Sequence, residues 1–198
     1  MTAMSVTRSR PGRRRRTAAD ARAETLAAAR RLLLEKGPSG VTLKAVAGEV
    51  GVTHANLLHH FGSAAELQGA LMTMMCSDLA AALSEAVSPL RQGESSMEEL
   101  VGMAFEAFHK GGAGHLAAWL VLTRETDKLA PVGRVIRDLA DAIRRPDQGA
   151  PVERLILFVT MAAFADAVIG PVLRPMLDQS ADETEELIVR LAKEAIRG

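Results

Sequence analysis

The 198-residue chain has no tyrosine, one tryptophan and five phenylalanines, so aromatic residues make up only 3% of it. No stretch alternates apolar with polar residues for long enough to argue a strand, and Ala, Leu, Glu and Arg dominate beyond Leu67. These absences predict an all-α protein. The single cysteine, Cys76, excludes an intramolecular disulfide and a multi-thiolate metal site within one chain, and it fits a reducing, cytoplasmic compartment. Its expected place is that of a small apolar residue in a long helix. Signatures of catalysis are missing as well: there is no G-x-S-x-G, no H-E-x-x-H and no G-x-x-x-x-G-K-[ST]. The run from Gly111 to Gly114 lacks a preceding strand and reads as a linker rather than a phosphate cradle. His59 and His60 are adjacent, which puts them on different faces of a helix, and His109 and His115 only flank the Gly-rich break. No enzyme activity, catalytic residue, cofactor or metal is expected.

Net charge is also absent, since 24 Lys and Arg balance 24 Asp and Glu. The balance conceals an asymmetry. Residues 1–67 hold 11 basic against 5 acidic side chains, and residues 68–198 hold 13 against 19. The excess at the start is an arm in which Arg8, Arg10, Arg13, Arg14, Arg15 and Arg16 precede any acidic residue. A basic end on an acidic remainder suits a protein whose one end meets nucleic acid. Such an arm is either a solubilising tail or a DNA contact, one that reaches an adjacent minor groove. A signal peptide is not expected, because Asp20, Arg22 and Glu24 interrupt the place of an apolar region.

The densest local information lies in Thr42 to Leu67. Thr42 is a good N-cap for a helix through Val50, with Leu43, Val46, Ala47 and Val50 on one face. Gly51 supplies the left-handed residue that closes it, and Thr53 caps a second, two-turn helix from His54 to Phe61. In that helix Leu57, Leu58 and Phe61 are expected to point inward, leaving His54, Ala55, Asn56 and His59 outward. Ser63 and Glu66 form a capping box for a third helix. Two short helices about a tight turn are the pattern of a helix-turn-helix DNA reader.

Behind the amphipathic segment Ala23 to Lys36, this stretch resembles the DNA-binding domain of the TetR family of bacterial transcription regulators. Leu26, Ala28, Ala29, Leu32, Leu33, Glu35, Lys36 and Gly37 stand where that family has its first-helix core and closing glycine. Thr42, Val46, Ala47, Gly51, Val52 and Thr53 follow in register, then Leu57, His60, Phe61, Ser63 and Leu67. The resemblance covers about 48 of 198 residues, Asp20 to Leu67. Three positions depart from it: Leu58 replaces a Tyr and Ala64 a Lys that commonly touch phosphates there, and Ala55 replaces a frequent Gly. Fewer phosphate contacts weaken sequence-independent affinity, and the Arg arm is the candidate to supply the missing charge.

The resemblance implies an N-terminal three-helix domain followed by a helical ligand-binding and dimerisation domain. The expected division is a basic arm over 1–17, a helix-turn-helix domain over 18–67 running into a connecting helix to about 88, and a helical domain over 68–198. Breaks at Ser88 to Ser96, Gly111 to Gly114, Asp127 to Pro131, Pro146 to Pro151 and Gly170 to Ser180 divide the last part into about six helices. The final helix starts at a Ser180–Glu183 capping box and carries Leu187, Ile188, Leu191 and Ala195 as a stripe. Leu155 to Leu173 is long and apolar enough to be a transmembrane candidate. Asp166 inside it and the Gly170-Pro171 break favour a buried helix in a core or subunit interface.

Candidate contacts follow. His54, Ala55, Asn56 and His59 are the base-edge candidates: Asn bonds adenine bidentately and Ala meets a thymine methyl. Thr42, Thr53 and His60, with Arg13, Arg14, Arg15 and Arg16 of the arm, are the backbone candidates, although both threonines also serve as caps. The family implies a four-helix dimer interface from the last two helices of each subunit, with Leu155, Val159, Ala162, Ala163, Leu187 and Leu191 as contacts. It also implies an effector pocket among the C-terminal helices. Phe105, Phe108, His109 and Leu116 are candidates there, as are Trp119, Leu122, Met161 and Asp166. Buried without a partner, Asp166 would be costly, so an Arg, a backbone donor or a ligand group is expected beside it. Met72, Met74, Met75, Met103 and Met161 would make such a cavity adaptable.

The function expected is a ligand-responsive transcription regulator, a repressor on the family's base rate, binding a palindromic operator as a homodimer and released by a small hydrophobic or amphipathic molecule. Its expected partners are double-stranded DNA, a second copy of itself and that unknown effector, with no membrane. Three alternatives remain at this point: an architectural DNA-binding protein without sequence preference, an all-helical enzyme or carrier with a vestigial DNA head, and a membrane-anchored regulator.

Overall fold

A computed structural model describes residues 17–92, 96–144 and 151–197. The arm, and with it Arg13 to Arg16, lies outside the described residues. The described residues form helices and turns without a strand. In chain order the helices are α1 (Ala18–Lys36), α2 (Leu43–Val50), α3 (His54–Phe61), α4 (Ala64–Gln92), α5 (Met97–Phe108), α6 (Ala113–Leu122), α7 (Ala130–Ile143), α8 (Pro151–Met176) and α9 (Ala181–Arg197). Short 3-10 turns at Pro38–Gly40 and Thr126–Leu129 precede α2 and α7.

Helix α1 begins five residues before the amphipathic segment read from the sequence, and the cause is local. The Thr17 hydroxyl accepts from the Asp20 N–H at 3.1 Å while the Asp20 carboxylate accepts from the Thr17 N–H at 3.1 Å, a complete capping box. The Thr17 hydroxyl hydrogen bond, followed by its backbone N–H, holds the Asp20 carboxyl below the usual carboxylate range. Thr42 and Thr53 cap α2 and α3 as expected, accepting from Ala45 at 3.1 Å and Asn56 at 3.2 Å. Between them Gly51 takes φ 70°, ψ 32°, a left-handed conformation that costs a glycine little and lets the chain reverse.

The head formed by α1, α2 and α3 does not own its core. Leu32 of α1 and Val46 of α2 pack with Leu67 and Leu71 of α4 and with Leu116 and Leu120 of α6, all essentially without solvent contact. The expected boundary at Leu67 thus falls inside α4, and the core of the head runs on past it through Met75. A second core joins α5, α8 and α9 through Val101, Phe105, Ala163, Ala167, Ile188 and Ala192. Helix α7 lies along α4 and closes the molecule with smaller clusters against α4–α5 and α8.

Two expected breaks begin later than the sequence suggests. Helix α4 continues through Pro89 to Gln92, and α8 continues through Gly170-Pro171 and Pro175 to Met176. Pro171 removes the N–H that would bond the Ala167 carbonyl. Across this weakened turn Arg174 donates to the Asp166 carboxylate, a side-chain staple spanning eight residues. Gly170 permits it, because a Cβ there would stand 2.4 Å from an Arg174 guanidinium nitrogen and 2.6 Å from an Asp166 oxygen. The chain turns only at Asp178, and α9 starts at the expected capping box, Ser180 with Glu183.

Helices α4 and α8 are each long and apolar enough to cross a membrane, with mean hydropathies of 1.3 and 2.1 in their most apolar stretches. In the fold both contribute one face to the core, with 39% and 33% of those stretches buried. Helix α4 contributes Leu67, Leu71 and Met72 to the interior, and α8 packs on α5, α6 and α9 while carrying the buried Asp166.

Candidate nucleic-acid interface and internal cavity

The short helix α3 is held by Leu57 and Phe61, which are buried, and by its cap at Thr53. At about 100° per residue this anchoring turns Ala55, Asn56 and His59 furthest outward, with His60 on a flank and His54, in the first turn, about 40° from the anchoring line. All five are exposed, as are Thr42 and Thr53 at the helix starts. Leu58 departs from its expected inward place and is 44% exposed. It lies roughly 80° of arc from the line between Leu57 and Phe61, too far round the helix to reach the core.

Several groups that sequence reading missed hold this surface in place. The buried Gln68 amide of α4 donates to the carbonyls of Pro38 at 3.3 Å and Val41 at 3.1 Å, tying α4 to the turn that enters α2. The Arg22 guanidinium of α1 sits 4.7 Å from the Phe61 ring centroid, which places a cation at the C-terminal end of α3. Lys44 adds an exposed cation in the first turn of α2. Only half of the Ser63–Glu66 capping box forms: the Ser63 hydroxyl accepts from the Glu66 N–H at 3.0 Å, but the Glu66 carboxylate turns to Lys128. That bond, with a second to Asp127 at 2.9 Å, holds the Lys128 ammonium above its ordinary range and pins the turn after α6 to the start of α4. The signal for Gln68 was a polar residue on the apolar face of α4; nothing local marked Lys128.

A cavity of about 390 Å³ opens between α4, α5, α7 and α8, within the size range of small-molecule sites. Of the eight residues expected there, Phe108 lines it and the other seven do not. Phe105 fills the α5–α8–α9 core and Leu116 the head core, so neither reaches the hole. Trp119 is half-buried on α6, and Leu122 beyond it is 80% exposed. Met161 is 61% exposed, because the opposite side of α8, through Ile156, Val159 and Thr160, forms the wall. His109 and Asp166 satisfy each other instead: the imidazole Nε2 lies 2.8 Å from the carboxylate, which also receives Arg174. The Arg expected beside Asp166 is therefore present, with a histidine added.

The wall is built mainly by α4 and α5, with α7 and α8 closing it. Of the five methionines expected at the cavity Met72, Met75 and Met103 line it, while Met74 and Met161 do not, and α7 adds Val132, Val135, Ile136 and Leu139. The i, i+3, i+4, i+7 spacing of those four was the signal available for α7. Cys76 is part of the wall, and burial pushes its thiol up to about 11, partly offset by Arg134. It is a neutral wall group at physiological pH rather than a reactive thiolate. Among the described residues no three His, Cys, Asp or Glu side chains cluster as metal ligands.

The outer surface of the C-terminal part corrects the expected interface residues. Val159 and Ala163 are buried and Leu155 and Ala162 half-buried within the protomer, packed in its own α5–α8–α9 core. A register shift along α8 puts Leu157, Phe158, Met161, Val168 and Val172 outside instead. Leu187 and Leu191 of α9 are exposed as that role requires, while Ile188, Val189 and Ala192 face inward.

Comparison with known proteins agrees with this architecture. Residues 26–71 match the bacterial regulatory proteins, tetR family. None of the curated proteins matches the sequence. Among solved structures, the multidrug binding protein EbrR complexed with imidazole superposes with a TM-score of 0.65 at 18% identity, over 88% of this chain and 93% of that one. The TetR family transcriptional regulator PfmR from Thermus thermophilus gives 0.57 at 20% identity, over 92% and 97%. The ketosteroid transcriptional regulator KstR2 of Mycobacterium tuberculosis gives 0.50 at 18% identity, over 90% and 94%. At such identities the structures establish a shared fold, and the match over 26–71 adds the DNA-reading head. The chain thus carries a helix-turn-helix head that matches the bacterial regulatory proteins of the tetR family over residues 26–71, on an all-helical body with the fold of those solved structures.

Proposed function

We propose that the protein is a cytoplasmic, ligand-responsive repressor that binds a palindromic operator as a homodimer and is released by a small hydrophobic or amphipathic molecule. The observation that supports this reading most is the double role of Met72 and Met75. Both belong to the core on which α1, α2 and α3 rest, and both line the cavity. A molecule in the cavity would touch side chains that support the DNA head. It would act by binding two orientations of the heads with different affinity.

In each half-site Ala55, Asn56 and His59 read base edges, with His54 beside them. Thr42, Thr53 and His60 position the backbone, joined by Arg22 and Lys44 and by Arg13 to Arg16 of the arm. Two recognition helices must meet successive major grooves, about 34 Å or a multiple apart, and one head alone binds weakly. The second copy covers the apolar outer face of α8 and α9, through Leu157, Met161, Val168 and Val172 with Leu187 and Leu191.

Selection of the full chain against a random duplex library at near-physiological salt tests the reading. The expected product is an enriched inverted repeat. Binding without enrichment would replace the proposal by an architectural role, and absence of binding would leave a ligand-binding protein with an idle head.

A further inference from the structure

The chemistry of the cavity wall is uneven, and the unevenness constrains what fits. Four charged side chains line it: Arg30, Asp78, Glu106 and Lys110. Asp78, Glu106 and Lys110 are exposed and Arg30 is half-buried, so the charges stand at the mouth. They are two of each sign, and Arg30 already pairs with Asp78 at 3.4 Å. Behind them the wall is apolar, with Leu79, Leu83, Val135, Leu139 and Ile156. The side-chain polar groups of that inner wall are the Cys76 thiol and the Thr160 hydroxyl.

Thr160 differs from three other threonines of the helices and their ends. Thr25, Thr73 and Thr123 donate their hydroxyls to the carbonyl four residues earlier at 2.8–2.9 Å. The Thr160 hydroxyl has no hydrogen-bond partner among the described residues. It is half-buried in the wall with its capacity unused. A charged ligand group placed behind the mouth would lose its hydration and meet no counter-charge, which costs far more than burying a neutral group that finds one hydrogen bond.

We propose that the cavity takes an uncharged, largely apolar organic molecule of roughly a dozen non-hydrogen atoms, given about 30 Å³ of liquid volume for each, whose one hydroxyl or carbonyl bonds the Thr160 hydroxyl. The proposal rests on the reading of this cavity as the effector site only for its regulatory meaning. Binding itself is independent of DNA.

Isothermal titration calorimetry of the full chain with decan-1-ol, decanoate and decylammonium, each below its aggregation limit, provides the test. One decan-1-ol per protomer is expected, bound about tenfold or more tightly than either ion, a difference of about 1.4 kcal/mol. Thr160→Val is expected to weaken the alcohol about threefold or more, Thr160→Ser to retain it, and Leu83→Trp to abolish it in protein whose circular dichroism and melting temperature show a folded chain. Ions that bind as tightly as the alcohol would overturn the uncharged class. No alcohol binding, or binding indifferent to Leu83→Trp, would overturn the site. Binding indifferent to Thr160→Val would overturn the role of the hydroxyl. If the alcohol binds as expected but leaves affinity for a selected duplex unchanged, the ligand class stands and the effector reading fails.

Discussion

Head and body are built from the same kind of apolar, alanine-rich helix, yet they end in opposite surfaces. The head buries Leu57 and Phe61 of its recognition helix and presents Ala55, Asn56 and His59 with capped helix starts around them. The body leaves Leu157, Met161, Val172 and Met176 of α8 in solvent and keeps a cavity inside. A polar, finished surface suits a hydrated and charged partner such as DNA. An apolar surface left open outside and inside calls for apolar partners, a second protomer on the face and a small molecule in the hole. The two regions nevertheless share a core, since Leu116 and Leu120 of α6 pack into that of the head.

The sharpest way to break this comparison lies within α6. Leu116→Ala removes a side chain with no solvent contact from the shared core and is expected to cost about 2–5 kcal/mol, seen in one urea transition that carries head and body together. Leu122→Ala, at a position 80% exposed, is expected to stay within about 0.5 kcal/mol. Two separate transitions for the Leu116 variant would mean independent domains.

Next in size is the ion cluster of α8. Asp166→Leu leaves the Arg174 guanidinium, 14% exposed, without its carboxylate, and a loss of about 3 kcal/mol is expected by thermal melting. Adding Arg174→Met should recover most of it. If the double variant is as unstable as the single one, the carboxylate matters for something other than that pair.

Asn56→Ala tests the outward surface of the head. A loss of about 1–3 kcal/mol is expected on the selected duplex and little on others, measured by fluorescence anisotropy. Equal loss on every duplex would remove Asn56 from base reading. Smaller again is Thr42→Ala, which takes away the hydroxyl that accepts from Ala45 and should cost about 1 kcal/mol of stability.

What could be read from the sequence divides along the same line. Thr42, Gly51, Thr53 and the Ser180–Glu183 box announce helix ends because a cap is an interaction of residues three apart, and the head is made of such short-range rules. The body depends on meetings that no window contains. His109 and Asp166 are 57 residues apart, and Lys128 lies 62 from Glu66, whose capping role it diverts. The apolar residues of α8 could be recognised, but not which of them face the protomer's own α5 and α9, so Val159, expected outside, packs inside the protomer. The Gly170-Pro171 pair reads as a stop, yet the helix runs on through it with the Asp166–Arg174 pair spanning the turn.

The central claim is that two heads, joined through the apolar face of α8 and α9, read one operator. Its most direct test is the affinity of the full chain for a selected inverted repeat and for the same repeat with about 5 base pairs inserted at its centre, half a helical turn. Two protomers per duplex and a loss of affinity of about tenfold or more on insertion are the result this account predicts. Affinity indifferent to the spacing of the two halves would contradict it.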